Sequence, residues 1–137
     1  MSGPDSPADL AAVWMRYAAI DMDFARFGLQ RPERQGMAAF HAQQAIEKAR
    51  KAMCVATGTD FEKTHDIGRL LGRVRTFDPA FVGRWRHLDQ VTEYAVMPRY
   101  PVEITMPGLP PADAVALAEQ FLPAVEGWLA AQADTHP

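Results

Sequence analysis

The chain has 137 residues, 48% of them hydrophobic and 23% charged, with a formal net charge of −3 at pH 7. That is enough chain for one core and too apolar a chain for a disordered segment, while a lone cysteine rules out an internal disulfide framework or a thiol-based metal site. No run of about 18 apolar residues occurs, and the start, Met1-Ser2-Gly3-Pro4-Asp5-Ser6-Pro7, lacks the basic and apolar regions of a secretory signal. The expectation is a single cytoplasmic domain over 1–137, with its core at about 7–132 and no membrane attachment.

Ser6 before Pro7 reads as an N-cap followed by a first helical residue. Leu10, Val13, Trp14, Tyr17, Phe24 and Phe27 then recur at helical spacing, predicting a first helix over 7–27 that stops at Gly28. The polar stretch from Gln30 to Gly36 connects it to the next element, with helical propensity resuming near Pro32 or Arg34. From Met37 to Ala56 there is no Gly or Pro and strong helix formers abound, so a second helix is predicted over 34–57, ended by Gly58.

Thr64 is the expected N-cap of a short helix over 66–75, with Ile67, Leu70, Leu71 and Val74 inward. Asp78-Pro79 repeats the capping pattern and opens a fourth helix, predicted over 79–97 on the apolar stripe Phe81, Val82, Trp85, Leu88, Val91 and Ala95. The prolines between Arg99 and Pro110 exclude a helix there and predict an extended crossing of the surface. A last helix is predicted over 111–132, with Pro123 as its kink. No segment alternates over strand length, so the predicted fold class is all-α: an antiparallel up-and-down bundle of four long helices plus one short helix.

Charge is unevenly placed. Residues 26–75 hold ten Lys or Arg against five Asp or Glu, and the remainder four against twelve. A basic centre between acidic ends suits a local anion or nucleotide site better than a coat for long nucleic acid; solvated helix faces are the plain alternative. Within that centre His41, Gln44 and Lys48 fall at i, i+3 and i+7, one line of hydrogen-bonding groups on one helix face suited to phosphate or carboxylate oxygens. Arg34 lies a turn or two earlier. The same row could instead be a solvated or partner-facing polar stripe.

His65 and Asp66 stand at a predicted helix start, where free N–H groups and the dipole favour an anion, although Asp66 could simply cap. Being adjacent, they do not form a catalytic pair. Arg99 and Tyr100 sit between prolines on stiff backbone, an Arg for bidentate phosphate contact and a Tyr for stacking, or equally a pair that anchors the loop. Arg84, Trp85, Arg86 and His87 carry a weaker signal, and Cys54, among Ala and Met, reads as a packing residue. No Gly-rich phosphate loop, His-Glu-x-x-His or Gly-x-Ser-x-Gly occurs.

Three separated motifs carry a resemblance: Ala39-Phe40-His41-Ala42-Gln43-Gln44-Ala45-Ile46-Glu47-Lys48-Ala49-Arg50-Lys51-Ala52; Thr64-His65-Asp66-Ile67 with Leu70-Leu71; and Glu93-Tyr94-Ala95-Val96 with Arg99-Tyr100-Pro101. In order and spacing they resemble the HEPN (higher eukaryotes and prokaryotes nucleotide-binding) domains of prokaryotic stand-alone type, over residues of about 10–130. The resemblance implies four long helices with a short extra one, a homodimer, and a frequent pairing with a minimal nucleotidyltransferase of the MNT type in toxin–antitoxin-type systems. Some members are metal-independent ribonucleases, with an Arg followed four to six residues later by His; others bind nucleotides or partners. Here Arg99 is followed by Tyr-Pro-Val-Glu-Ile-Thr-Met with no His in reach, and the Arg34/His41 pair stands at the start of the second helix rather than in the late helix and loop.

The functional expectation is a nucleotide- or RNA-phosphate-binding subunit without cofactor or metal, in which His41, Lys48, His65, Asp66, Arg99 and Tyr100 converge on one groove. Whether it is an enzyme stays open. Cleavage of RNA would need His41 or His65 as base and Arg99 at the phosphorane. The alternative is a non-catalytic helical dimerisation or adaptor module.

Overall fold

The structure, a computed structural model, describes residues 6–58, 78–88 and 109–135. These residues form α1 (Pro7–Gly28), a 3₁₀ turn (Pro32–Arg34), α2 (Gln35–Ala56), the short α3 (Pro79–Arg84) and α4 (Pro111–Thr135), with no strand among them. The fold class is the all-α bundle that the periodicity predicts. The predicted helix over 66–75, the second half of the predicted fourth helix, and the loop from Arg99 to Gly108 lie outside the described residues.

The caps explain why the start of α1 and the end of α2 follow from sequence. Ser6 accepts a hydrogen bond from the Asp9 backbone N–H at 3.2 Å and donates its hydroxyl to the Asp9 carboxylate at 2.7 Å. Gly58, at φ 78°, takes the left-handed conformation that terminates α2 and returns its N–H to Val55 O at 2.9 Å. Gly28 plays a different part from the predicted stop, since it is the last helical residue and Leu29 caps the helix in a right-handed conformation. A Cβ on Gly28 would meet Ala38 Cβ at 2.9 Å and the Ala38 Cα and N at 3.0 Å. Glycine is there because the two helices touch there.

α1 and α2, joined by a short connection, form a helical hairpin, and α4 packs on α2 and α1. The buried faces of α1 and α2 are rich in alanine: Ala11, Ala18 and Ala25 on α1 and Ala38, Ala39, Ala42, Ala45 and Ala49 on α2 are all buried. The inner face of α1 thus differs from the one its large residues suggest. Met15 and Met22 join the alanines inside, whereas Leu10, Tyr17, Phe24 and Phe27 are exposed. Small side chains let the helix axes approach, which the aromatic row on the same helix would prevent.

The other end of the core is aromatic. Phe81 packs against Phe121 and Trp128 with centroids at 6.3 and 6.1 Å, and Trp85 meets Phe121 edge-on at 5.2 Å. Asp78 caps α3 by accepting from the Phe81 N–H at 3.0 Å, and its second oxygen accepts the Trp128 indole N–H at 2.8 Å. These two donors hold the Asp78 carboxyl below its ordinary 3.8, against a small opposing effect of burial. Within the described residues the predicted helix over 79–97 is interrupted: the last α-helical residue of α3 is Arg84, Trp85 turns at φ −114° and ψ 14°, and a 3₁₀ turn follows to Leu88. The turn brings both the Trp85 ring and the buried Leu88 onto the core. Pro123 is accommodated inside α4, which continues to Thr135.

Candidate functional site

On α1 the inward row Ala18, Asp21, Met22 and Ala25 has helical spacing, so a carboxylate stands in a line of core residues. On α2 the row His41, Gln44 and Lys48 runs along one face. Docking the hairpin brings Asp21 between its ends: His41 Nδ1 lies 2.9 Å from Asp21 Oδ1, and the Lys48 ammonium donates to Asp21 Oδ2. Asp21 is 6% exposed, so its charge depends on these partners rather than on water. The side chains of His41 and Lys48 remain 21% and 26% exposed, and so form the solvent-facing edge of the cluster.

Phe24 stacks on the His41 ring at 5.1 Å and 26°, and Phe40 meets it edge-on at 5.4 Å. The imidazole is thus held by a carboxylate at Nδ1 and by aromatic rings around it. With an Nδ1–H donated to Asp21, Nε2 is the nitrogen left for a ligand, an acceptor when the ring is neutral and a donor when it is protonated. The same arrangement orients the general base of Asp–His catalytic pairs. Lys48 has three N–H donors and gives one of them to Asp21.

Of the six expected site residues, His41 and Lys48 are brought together, through Asp21. His65, Asp66, Arg99 and Tyr100 lie outside the described residues, and so does their expected convergence with the pair on α2. Gln44 turns aside from the row and donates to Gln43 Oε1 at 2.9 Å, and Gln43 is buried. Arg34 lies over the Phe27 ring, 4.5 Å from its centroid, rather than beside His41. Arg84 covers Phe81 at 5.5 Å and His87 stacks on Trp85 at 5.7 Å, so these two side chains pack on the aromatic end of the core. Cys54 is buried, and burial pushes its thiol up to about 11 despite the opposing charge of Arg50.

Asp21 is the residue that sequence reasoning missed. Its signal was present: it falls three residues after Ala18 and four before Ala25, on the line that alanines and methionines mark as inward. A carboxylate on such a line requires hydrogen-bonding partners, and the next helix supplies the His41 imidazole and the Lys48 ammonium. Among the described residues, no buried polar side-chain atom lacks a hydrogen-bond partner and no group of three His, Cys, Asp or Glu could hold a metal ion. No helix among them is long and apolar enough to cross a membrane.

Comparison with known families finds one model, described as HEPN domain, that matches residues 11–128. No curated protein and no solved structure matches the chain.

Proposed function

The chain belongs to the HEPN domain family, and on that footing we propose that it is a nucleotide- or RNA-phosphate-binding subunit, working with a minimal nucleotidyltransferase of the MNT type in a toxin–antitoxin-type pair. The observation that carries the reading is the Asp21-backed edge of α2. A buried carboxylate fixes His41 and Lys48 in place while both keep surface exposure, so their remaining N–H and ring-nitrogen groups are preorganised for an anionic oxygen. The Phe24 ring beside His41 adds an apolar face on which a base can stack. Arg99, Tyr100, His65 and Asp66 complete the groove in this reading.

Amide NMR of the whole chain, titrated with nucleoside mono- and triphosphates and with short RNA, tests it. Shifts should concentrate at His41, Lys48 and Phe24. His41→Ala leaves Asp21 its Lys48 partner and should keep the fold while weakening binding by about 1.5–3 kcal/mol, the range for a hydrogen bond to a charged group. Absence of any saturable shift in the wild-type protein would sink the phosphate reading. Pull-down with an MNT-type nucleotidyltransferase encoded beside it tests the partner separately.

One specific observation favours a second reading, a non-catalytic dimerisation or adaptor module. It is the row of large apolar residues exposed along α1. A protein that acts by docking needs such a face and needs no ligand on α2, where Asp21, His41 and Lys48 would serve to clamp the hairpin.

A further inference from the structure

Trp14, Tyr17, Phe24 and Phe27 recur on α1 at steps of three, seven and three. Arg34, His41, Lys48 and Lys51 recur at the start of α2 and along it at steps of seven, seven and three. Such steps keep side chains near one helix face. Because α1 and α2 run antiparallel in the hairpin, the two rows meet rung by rung. Arg34 lies over the Phe27 ring, 4.5 Å from its centroid, His41 stacks on Phe24 at 5.1 Å, and Lys51 lies over the Trp14 ring at 4.9 Å. Tyr17 and Lys48 share the level between the last two rungs, Tyr17 seven residues before Phe24 on α1 and Lys48 seven after His41 on α2.

We propose that this seam is a track for an unpaired nucleic acid strand of about four nucleotides, laid lengthwise along the hairpin of a single chain. The proposal rests on the phosphate-binding reading of His41 and Lys48 and names the class of ligand. A mononucleotide occupies one rung. A repeated pairing of ring with basic group suits a ligand that itself repeats base and phosphate. From the level of Arg34 to that of Lys51 the seam runs about 25 Å at the helical rise, more than a single nucleotide covers.

Exposure and charge both fit that ligand. Tyr17, Phe24 and Phe27 are each more than half exposed, so each ring keeps surface on which a base can stack. Along the basic row, His41 and Lys48 share the one carboxylate of Asp21, while Arg34 and Lys51 form no ion pair among the described residues. α2 itself carries a single carboxylate, Glu47, against Lys48, Arg50 and Lys51, so the row stays positive for phosphates. A duplex would offer the basic groups its phosphates but hide its base faces from the rings. The track therefore selects unpaired strands by stacking and holds them by charge, without reading sequence.

Titration calorimetry of the full chain at low salt, with uridine monophosphate and with oligouridylates of about two, four and eight nucleotides, tests it. The dissociation constant should fall about tenfold or more from the dinucleotide to the tetranucleotide, and no more than about threefold beyond. An RNA duplex of the longest length should bind about tenfold more weakly than the single strand. Phe27→Ala and Lys51→Ala, at opposite ends of the seam and outside the Asp21 cluster, should each weaken the tetranucleotide about fivefold or more, and weaken it more than the monophosphate. Oligodeoxythymidylates of the same lengths separate the sources, the tighter sugar naming RNA or DNA as the strand. Equal affinity for monophosphate and octanucleotide overturns the track and leaves the single-phosphate site at His41 and Lys48 standing. Full affinity in both variants, or a duplex bound as tightly as the single strand, also overturns it. Absence of binding by every probe removes the track together with the phosphate reading beneath it.

Discussion

The two halves of the core are built on opposite rules. Where α1 meets α2 the buried faces are rich in alanine, with Gly28 set against Ala38 and one buried carboxylate held by two basic side chains. Between α3 and α4 the contact is aromatic, with Phe81, Trp85, Phe121 and Trp128 filling volume and Asp78 tying an indole to a helix start. The first region derives its order from proximity and the second from bulk. They should therefore fail under opposite changes, the one when atoms are added and the other when they are removed.

The largest effect belongs to the aromatic half. Phe121 touches both Phe81 and Trp85 and is 2% exposed, so Phe121→Ala leaves a cavity that the neighbouring rings cannot close and should cost about 3–5 kcal/mol in chemical denaturation. A loss below about 1 kcal/mol would show that the aromatic cluster is loosely packed and end the contrast. Next in size is the clamp on the alanine half. Lys48→Met keeps the length of the side chain but leaves the Asp21 carboxylate with His41 as its one remaining partner, and about 2–3 kcal/mol should be lost. The double variant Asp21→Asn with Lys48→Met should recover much of that loss, because no buried charge is then left unpaired. If the single variant is as stable as the wild type, Asp21 does not hold the hairpin together.

Addition tests the same region from the other side. A methyl on Gly28 would lie against the Ala38 backbone, which is not free to swing away, so Gly28→Ala should cost about 1–3 kcal/mol although alanine is the better helix former. The same exchange at Gly127, where a Cβ meets nothing within 4 Å, should be neutral or slightly stabilising. Equal effects at the two glycines would remove the case for a close approach.

What could be read from the sequence divides along the same line. The limits of α1 and α2 followed from Ser6-Pro7 and from Gly58, local signals whose partners lie within a few residues. The inner face of α1 did not follow, because large apolar residues draw attention as core while alanines look neutral, and here the alanines are inside. Asp21 escaped for a related reason: its partners lie 20 and 27 residues away, and only the packing of α1 on α2 joins them. The break at Trp85 within the predicted helix over 79–97 did not follow either, because the apolar period through Phe81, Val82, Trp85 and Leu88 carries no information about the backbone turn there. His41 and Lys48 were legible as a site because they share one helix face, a relation that needs no tertiary structure.

The smallest expected effect joins the two halves through the comparison of their carboxylates. Asp21 is bound by the Lys48 ammonium and the His41 imidazole, whereas Asp78 is bound by neutral N–H donors of Phe81 and Trp128. Those donors favour the ionised form, so Asp78 has a folded-state pKa below its unfolded value of 3.8. The sign of the linkage follows: the stabilisation is fully present above the unfolded value and is lost as pH falls through the folded one. Asp78→Asn retains an oxygen for the cap but surrenders the charge, and should cost about 1 kcal/mol at pH 7. Denaturant unfolding repeated from pH 7 to below the unfolded value should show wild type and variant converging on the acid side. A difference that stays constant with pH would mean that Asp78 acts by shape alone, and its charge would then have no part in tying Trp128 to the start of α3.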